Sequence, residues 1–153
     1  MAQFYEDLEV GQIERFGAYS VTRDEVITFA RKFDPQPFHL SDEAAAKTSF
    51  GRLAASGWHT SAMTMAMVVA HSQGLGHQGL GSPGIDEVRW PKPVYPGDTL
   101  SCETELIDKR RSASRPEMGL FRKKMTVRNQ HDEVVMTFTS TAMITVRNPA
   151  ASG

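Results

Sequence analysis

From Thr99 to Val146 apolar and polar side chains alternate with hardly a break. Leu100, Cys102 and Leu106 alternate with Ser101, Glu103 and Glu105. Phe121, Met125 and Val127 alternate with Arg122, Lys124, Thr126 and Arg128. Val134, Met136, Phe138, Ala142, Ile144 and Val146 alternate with Thr137, Thr139, Thr141 and Thr145. Successive strand residues point to opposite faces, so a period of two predicts antiparallel strands with one covered face and one wet face. Lys109 to Pro116 and the turn-forming Asn129-Gln130-His131-Asp132 read as the connections. Such a sheet is stable only if another element covers its apolar face.

The cover is the helical run from Gly57 to about Gln73, where Ala62, Ala66 and Ala70 recur at four-residue steps beside Met63, Met67 and Val68. Small residues on one stripe let a helix approach a sheet closely, and methionines fill irregular gaps. The glycine-rich stretch from Gly74 to Gly81 is expected to be a mobile loop, and the β pattern resumes from Gly84. Upstream, Gln12 to Val21 reads as a strand. Thr22-Arg23-Asp24-Glu25 forms a capping box for a helix that ends near Phe33, because Pro35 disfavours helical geometry at Asp34. Ser41 caps a second short helix. The fold class is therefore α+β, a sheet wrapped around one long helix, with residues 1–153 expected to form a single domain.

Function is concentrated in Phe33-Asp34-Pro35-Gln36-Pro37-Phe38-His39 and in Ala55-Ser56-Gly57-Trp58-His59-Thr60 at the head of the long helix. Two prolines keep the first segment from being helical, so a carboxylate and an imidazole can be held toward one point, as an acid/base pair requires. The bland reading of the same residues is a helix-terminating Asp and a His bonded to a loop carbonyl. His59 either lines a pocket or is a partly buried structural histidine. Trp58 and Trp90 read as core or interface anchors.

The remaining composition removes other classes. Seventeen Lys plus Arg against eighteen Asp plus Glu give a formal charge of -1, which provides no basic field for nucleic acid. Cys102 has no second cysteine to pair with and reads as an apolar core residue. His71, His77 and His131 show no metal-ligand spacing. Met1 to Val10 lacks a signal-peptide pattern and no run approaches the ~20 apolar residues of a membrane helix, so a soluble, cytoplasmic protein without membrane contact is expected.

Three segments together resemble the MaoC-like dehydratases and R-specific enoyl-CoA hydratases of the hot dog fold: Asp34 to His39, similar to a D-x-N-P-x-H hydratase motif; Ala55 to Thr60; and Gly84 to Leu100. Gln36 stands where that motif usually has Asn. The resemblance implies reversible hydration of a trans-2-enoyl-CoA by Asp34 and His39, without metal or other cofactor. It further implies an oxyanion donor at the Gly57 N–H, substrate contacts at Ser56, His59 and Gly84, and an assembly of at least a homodimer, with a trimer of dimers open. A hot dog acyl-CoA thioesterase and a non-catalytic acyl-thioester-binding subunit are the alternative functions.

Overall fold

The computed structural model describes residues 1–151. Its elements are β1 (Ile13–Ser20), α1 (Arg23–Phe33), α2 (Asp42–Ala45), α3 (Gly57–Gly74), β2 (Gly79–Arg89), β3 (Thr99–Arg111), β4 (Met118–Arg128) and β5 (Val134–Thr145), with single 3-10 turns at Tyr5–Asp7 and Pro37–His39. The strands form one antiparallel sheet in the order β1-β3-β4-β5-β2, and α3 packs against one of its faces. This is the expected α+β hot dog arrangement.

Period-two alternation sets the β3 and β4 registers. Cys102 stands opposite Val127 and Thr104 opposite Met125, so the apolar sides of both strands meet α3. Met63 and Met67 of α3 pack there with Leu100, Cys102, Met125, Val127 and Met136. The Cys102 thiol is 4.0 Å from the Met67 sulfur, and burial pushes its pKa up to about 12. It behaves as the apolar core residue the alternation implied. Gly17 sits at a break in the β1 register with φ +89, and a Cβ added there would lie 2.5 Å from the Met67 sulfur. Glycine thus serves both backbone and packing at that point.

Four sequence expectations change. The Ala62, Ala66 and Ala70 stripe faces outward, and α3 instead buries Thr60, Met63, Thr64 and Met67. Thr60 and Thr64 can be buried because each hydroxyl bonds a carbonyl one turn back, Ser56 O at 3.5 Å and Thr60 O at 2.8 Å. The glycine-rich stretch is not wholly a loop. From Gly79 it joins β2 at the sheet edge, pairing Gly79 with Ile144 and Gly81 with Met143. Backbone pairing to β5 needs no side chain, and irregularities between Gly79 and Gly84 absorb the glycines' unusual geometry. The capping box is only half formed: the Glu25 N–H bonds Thr22 Oγ1 at 3.3 Å, but the Glu25 carboxylate turns to Tyr19 and His59. Of the two roles open to Trp58 and Trp90, core or interface anchor, the core one falls away. They are 60% and 39% exposed and meet edge to face at 5.3 Å.

Candidate active site

Asp34 is the C-cap of α1, its N–H bonded to Ala30 O at 2.9 Å. Pro35 and Pro37 prevent the helix from continuing, and the chain folds into a single turn that brings His39 back toward the carboxylate. His39 Nε2 is 3.5 Å from Asp34 Oδ2. The imidazole is 5% exposed and is flanked by the rings of Phe38 and Phe50. The structure therefore brings together the two residues singled out as an acid/base pair.

Both carboxylate oxygens of Asp34 are already engaged. Gln36 Nε2 donates to Oδ1 at 2.7 Å, and Ser56 Oγ donates to Oδ2 at 2.7 Å. Burial pushes the Asp34 pKa up, but these two donors and the nearby imidazole outweigh it, and the net shift is below the ordinary carboxylate value. Asp34 is therefore an anion at neutral pH. Gln36, in the place of the usual Asn, reaches the carboxylate with its longer amide.

The other face of His39 fixes its tautomer. Nδ1 lies 2.7 Å from Ala54 O. A carbonyl can only accept, so in the neutral ring the proton is on Nδ1, and Nε2 turns its unprotonated lone pair toward Asp34. Two acceptors 3.5 Å apart do not bond each other directly; together they can receive both hydrogens of one water and leave its oxygen lone pairs pointing away.

Ser56 is the N-cap of α3, accepting the Trp58 N–H at 3.2 Å. Gly57, the first helical residue, keeps an N–H without an acceptor among the described residues. Such first-turn N–H groups have no intrahelical partner and carry the positive end of the helix dipole. The structure places the other two candidates elsewhere. His59 Nε2 is 3.2 Å from Glu25 Oε1, its ring stacks on Phe29 at 4.7 Å, and its Nδ1 is buried without a partner. Gly84 lies on the exposed edge strand opposite Thr141, bonded to the Ser82 hydroxyl. Sequence reasoning missed Ser56 and Gln36 as carboxylate donors, whereas the loop carbonyl it offered as a partner for His39 is that of Ala54. The two-residue spacing of Gln36 from Asp34 was the one available signal, because the Ser56 and Ala54 contacts exist only after α3 has docked.

The position of His59 has a measurable consequence. Burial lowers its pKa against the opposing pull of Glu25, so the folded state favours neutral imidazole. A depressed histidine contributes stability above its unfolded pKa of about 6.5, and that contribution is lost as pH falls through the lower folded value. His59→Leu should therefore lose less stability between pH 7 and pH 5 than the wild type does, measured by urea unfolding at both pH values.

The fold is a hot dog sheet that sets the Asp34 carboxylate and the His39 imidazole beside the N-terminus of its long helix. Comparison with known proteins gives this fold its family. The profile of the MaoC like domain matches residues 9–135, and the chain belongs to this family. It is 33% identical over 115 residues to a 3-hydroxybutyryl-CoA dehydratase of Methylorubrum extorquens, covering 72% of this chain and 69% of that protein. It is 29% identical over 127 residues to the uncharacterized protein YdeM of Bacillus subtilis, covering 83% of this chain and 88% of that one. The crystal structure of a MaoC-like dehydratase from Rhodospirillum rubrum superposes with a TM-score of 0.86 at 40% identity, covering 95% of this chain and 99% of that one.

Proposed function

We propose that the protein is a hydro-lyase that adds water reversibly across the double bond of a trans-2-enoyl-CoA, with Asp34 and His39 as the catalytic pair. The observation that carries this reading is the 3.5 Å Nε2 to Oδ2 approach between groups that are both acceptors in the neutral-ring state. A water held between them points its oxygen at the β carbon of the enoyl group. As the C–O bond forms, His39 Nε2 takes a water proton and the resulting imidazolium is stabilised by the Asp34 anion beside it. Negative charge moves onto the thioester oxygen, and the Gly57 N–H is the donor assigned to receive it. Return of the proton from His39 to the α carbon completes the addition. Dehydration of a 3-hydroxyacyl-CoA is the same path reversed.

A thioesterase reading would use the same water against the carbonyl carbon. The family match and the 3-hydroxybutyryl-CoA dehydratase relative favour the alkene carbon instead. Incubation with crotonyl-CoA, following enoyl absorbance and free thiol side by side, separates the possibilities. Loss of absorbance without thiol is expected. Thiol release indicates hydrolysis, and no change with measurable binding indicates a non-catalytic subunit.

The working unit is at least a homodimer. Strand β2 is an exposed sheet edge carrying Leu80 and Ile85 at 47% and 46% exposure, followed by Trp90, while α3 turns Trp58, Met65 and Val69 outward. An open strand edge beside an apolar helix flank is what a second copy, related by a two-fold axis, would cover. Light scattering should give at least twice the 16.9 kDa chain mass at micromolar concentration. A monomer would contradict this assembly. No helix among the described residues is long and apolar enough to cross a membrane.

A further inference from the structure

Ser56 is 1% exposed, and its hydroxyl lies between two parts of the site that come from distant segments. A hydroxyl has one hydrogen to give and two lone pairs to receive. The hydrogen goes to Asp34 Oδ2 at 2.7 Å and one lone pair takes the Trp58 N–H at 3.2 Å. The N-cap thus satisfies the second N–H of α3 and leaves the first, on Gly57, free. Capping alone needs only an acceptor, so Asp would serve that purpose as well as Ser. Asp at this position would set a second carboxylate against Asp34, whereas a hydroxyl can bond both neighbours.

We propose that Ser56 is a positioning residue that locks the carboxylate of Asp34 to the N-terminus of α3, so that the water and the thioester oxygen are held in fixed relation to each other. The inference rests on the hydration reading above. Without this link, the end of α1 and the head of α3 are still joined through His39 to Ala54 O and His59 to Glu25, but neither contact holds the Asp34 carboxylate itself against the first turn of α3. Misplacement of reacting groups by about 1 Å can cost on the order of 10²-fold in rate. His39 is the titratable group within ion-pair distance of Asp34 among the described residues, and Gln36 is the other donor to it.

The test reads Asp34 directly. With carboxyl-labelled aspartate, the Asp34 signal is identified by its loss in Asp34→Asn and titrated by NMR. Ser56→Ala should raise the titration midpoint, because a donor to the anion is gone. The acid limb of kcat/KM for crotonyl-CoA should move with it, and kcat should fall on the order of 10²-fold while KM changes less. Ser56→Thr, which keeps a hydroxyl, should hold the wild-type midpoint. Thr22→Ala removes the corresponding cap of α1 and should lower stability while leaving midpoint and kcat unchanged. If Ser56→Ala does not fold, Ser56→Cys, which keeps the side chain's shape with a larger atom and a much weaker donor, should show the raised midpoint instead. An unmoved midpoint, or a raised midpoint with wild-type kcat, would overturn the proposal. If the wild type fails to hydrate crotonyl-CoA, the hydration reading falls, and the NMR arm alone decides whether Ser56 holds Asp34.

Discussion

Asp34→Asn and His39→Ala should each lower crotonyl-CoA hydration by about 10²–10⁴-fold, and the double variant should lose little more than the worse single one. Non-additivity follows from the geometry, because Asp34 Oδ2 and His39 Nε2 are proposed to share one water. The two variants differ in their effect on the fold. Asparagine preserves the shape of the carboxylate but brings an amide N–H₂ toward Gln36 or Ser56, both of which now donate to it. Alanine at position 39 removes the partner of the buried Ala54 carbonyl, a loss of about 1–3 kcal/mol. His39→Gln, with an amide donor for that carbonyl, separates stability from chemistry: turnover should stay low although the melting temperature recovers. The lowered Asp34 pKa also sets a pH window. The anion and its contribution to stability are present above the ordinary carboxylate range and are lost as pH falls through the lower folded value. Activity limited by Asp34 should therefore decline only well into acid. Near-wild-type turnover by Asp34→Asn or His39→Ala would exclude the mechanism.

Gly57→Ala tests the oxyanion donor apart from the acid/base pair, and the structure changes how that test must be built. From sequence, alanine at a helix start costs little stability, so a loss of turnover alone is expected. In the fold, a Cβ on Gly57 would lie 2.7 Å from two indole ring carbons of Trp90, so the ring must move. The single variant should lose both stability and turnover, which does not identify an oxyanion site. Combining it with Trp90→Leu relieves the collision. The double variant should recover most of the melting temperature yet remain about 10²–10³-fold below Trp90→Leu in kcat, the scale of one oxyanion donor, because the added methyl obstructs the approach of the thioester oxygen. A double variant that matches Trp90→Leu in turnover would move the oxyanion donor away from Gly57.

What could be read beforehand divides along physical lines. The strands β3 and β4 were legible because one covered face imposes strict alternation, and α1 was legible because Thr22 opens it and Pro35 closes it. The buried face of α3 was not legible, since the helix is apolar on nearly every side and its orientation is decided by which side chains fit the sheet. Nor was β2, where glycines mask a strand formed by backbone pairing to β5. At the site, local sequence sufficed to single out Asp34 and His39, which share one turn. The contacts that would tune them come from Ser56 and Ala54, 22 and 15 residues away, and depend on the docking of α3. His59 shows the converse: motif proximity leaves a pocket role and a structural role equally open, and its helical position directs the ring to Glu25 and Phe29 on α1.

The most direct measurement is the fate of oxygen when the wild-type protein turns over crotonyl-CoA in heavy-oxygen water. The account predicts an intact thioester carrying the label on a new 3-hydroxyl group, with no free thiol, and loss of that product in Asp34→Asn. Label in a free carboxylate with release of coenzyme A thiol, or unlabelled crotonyl-CoA recovered unchanged, would contradict it.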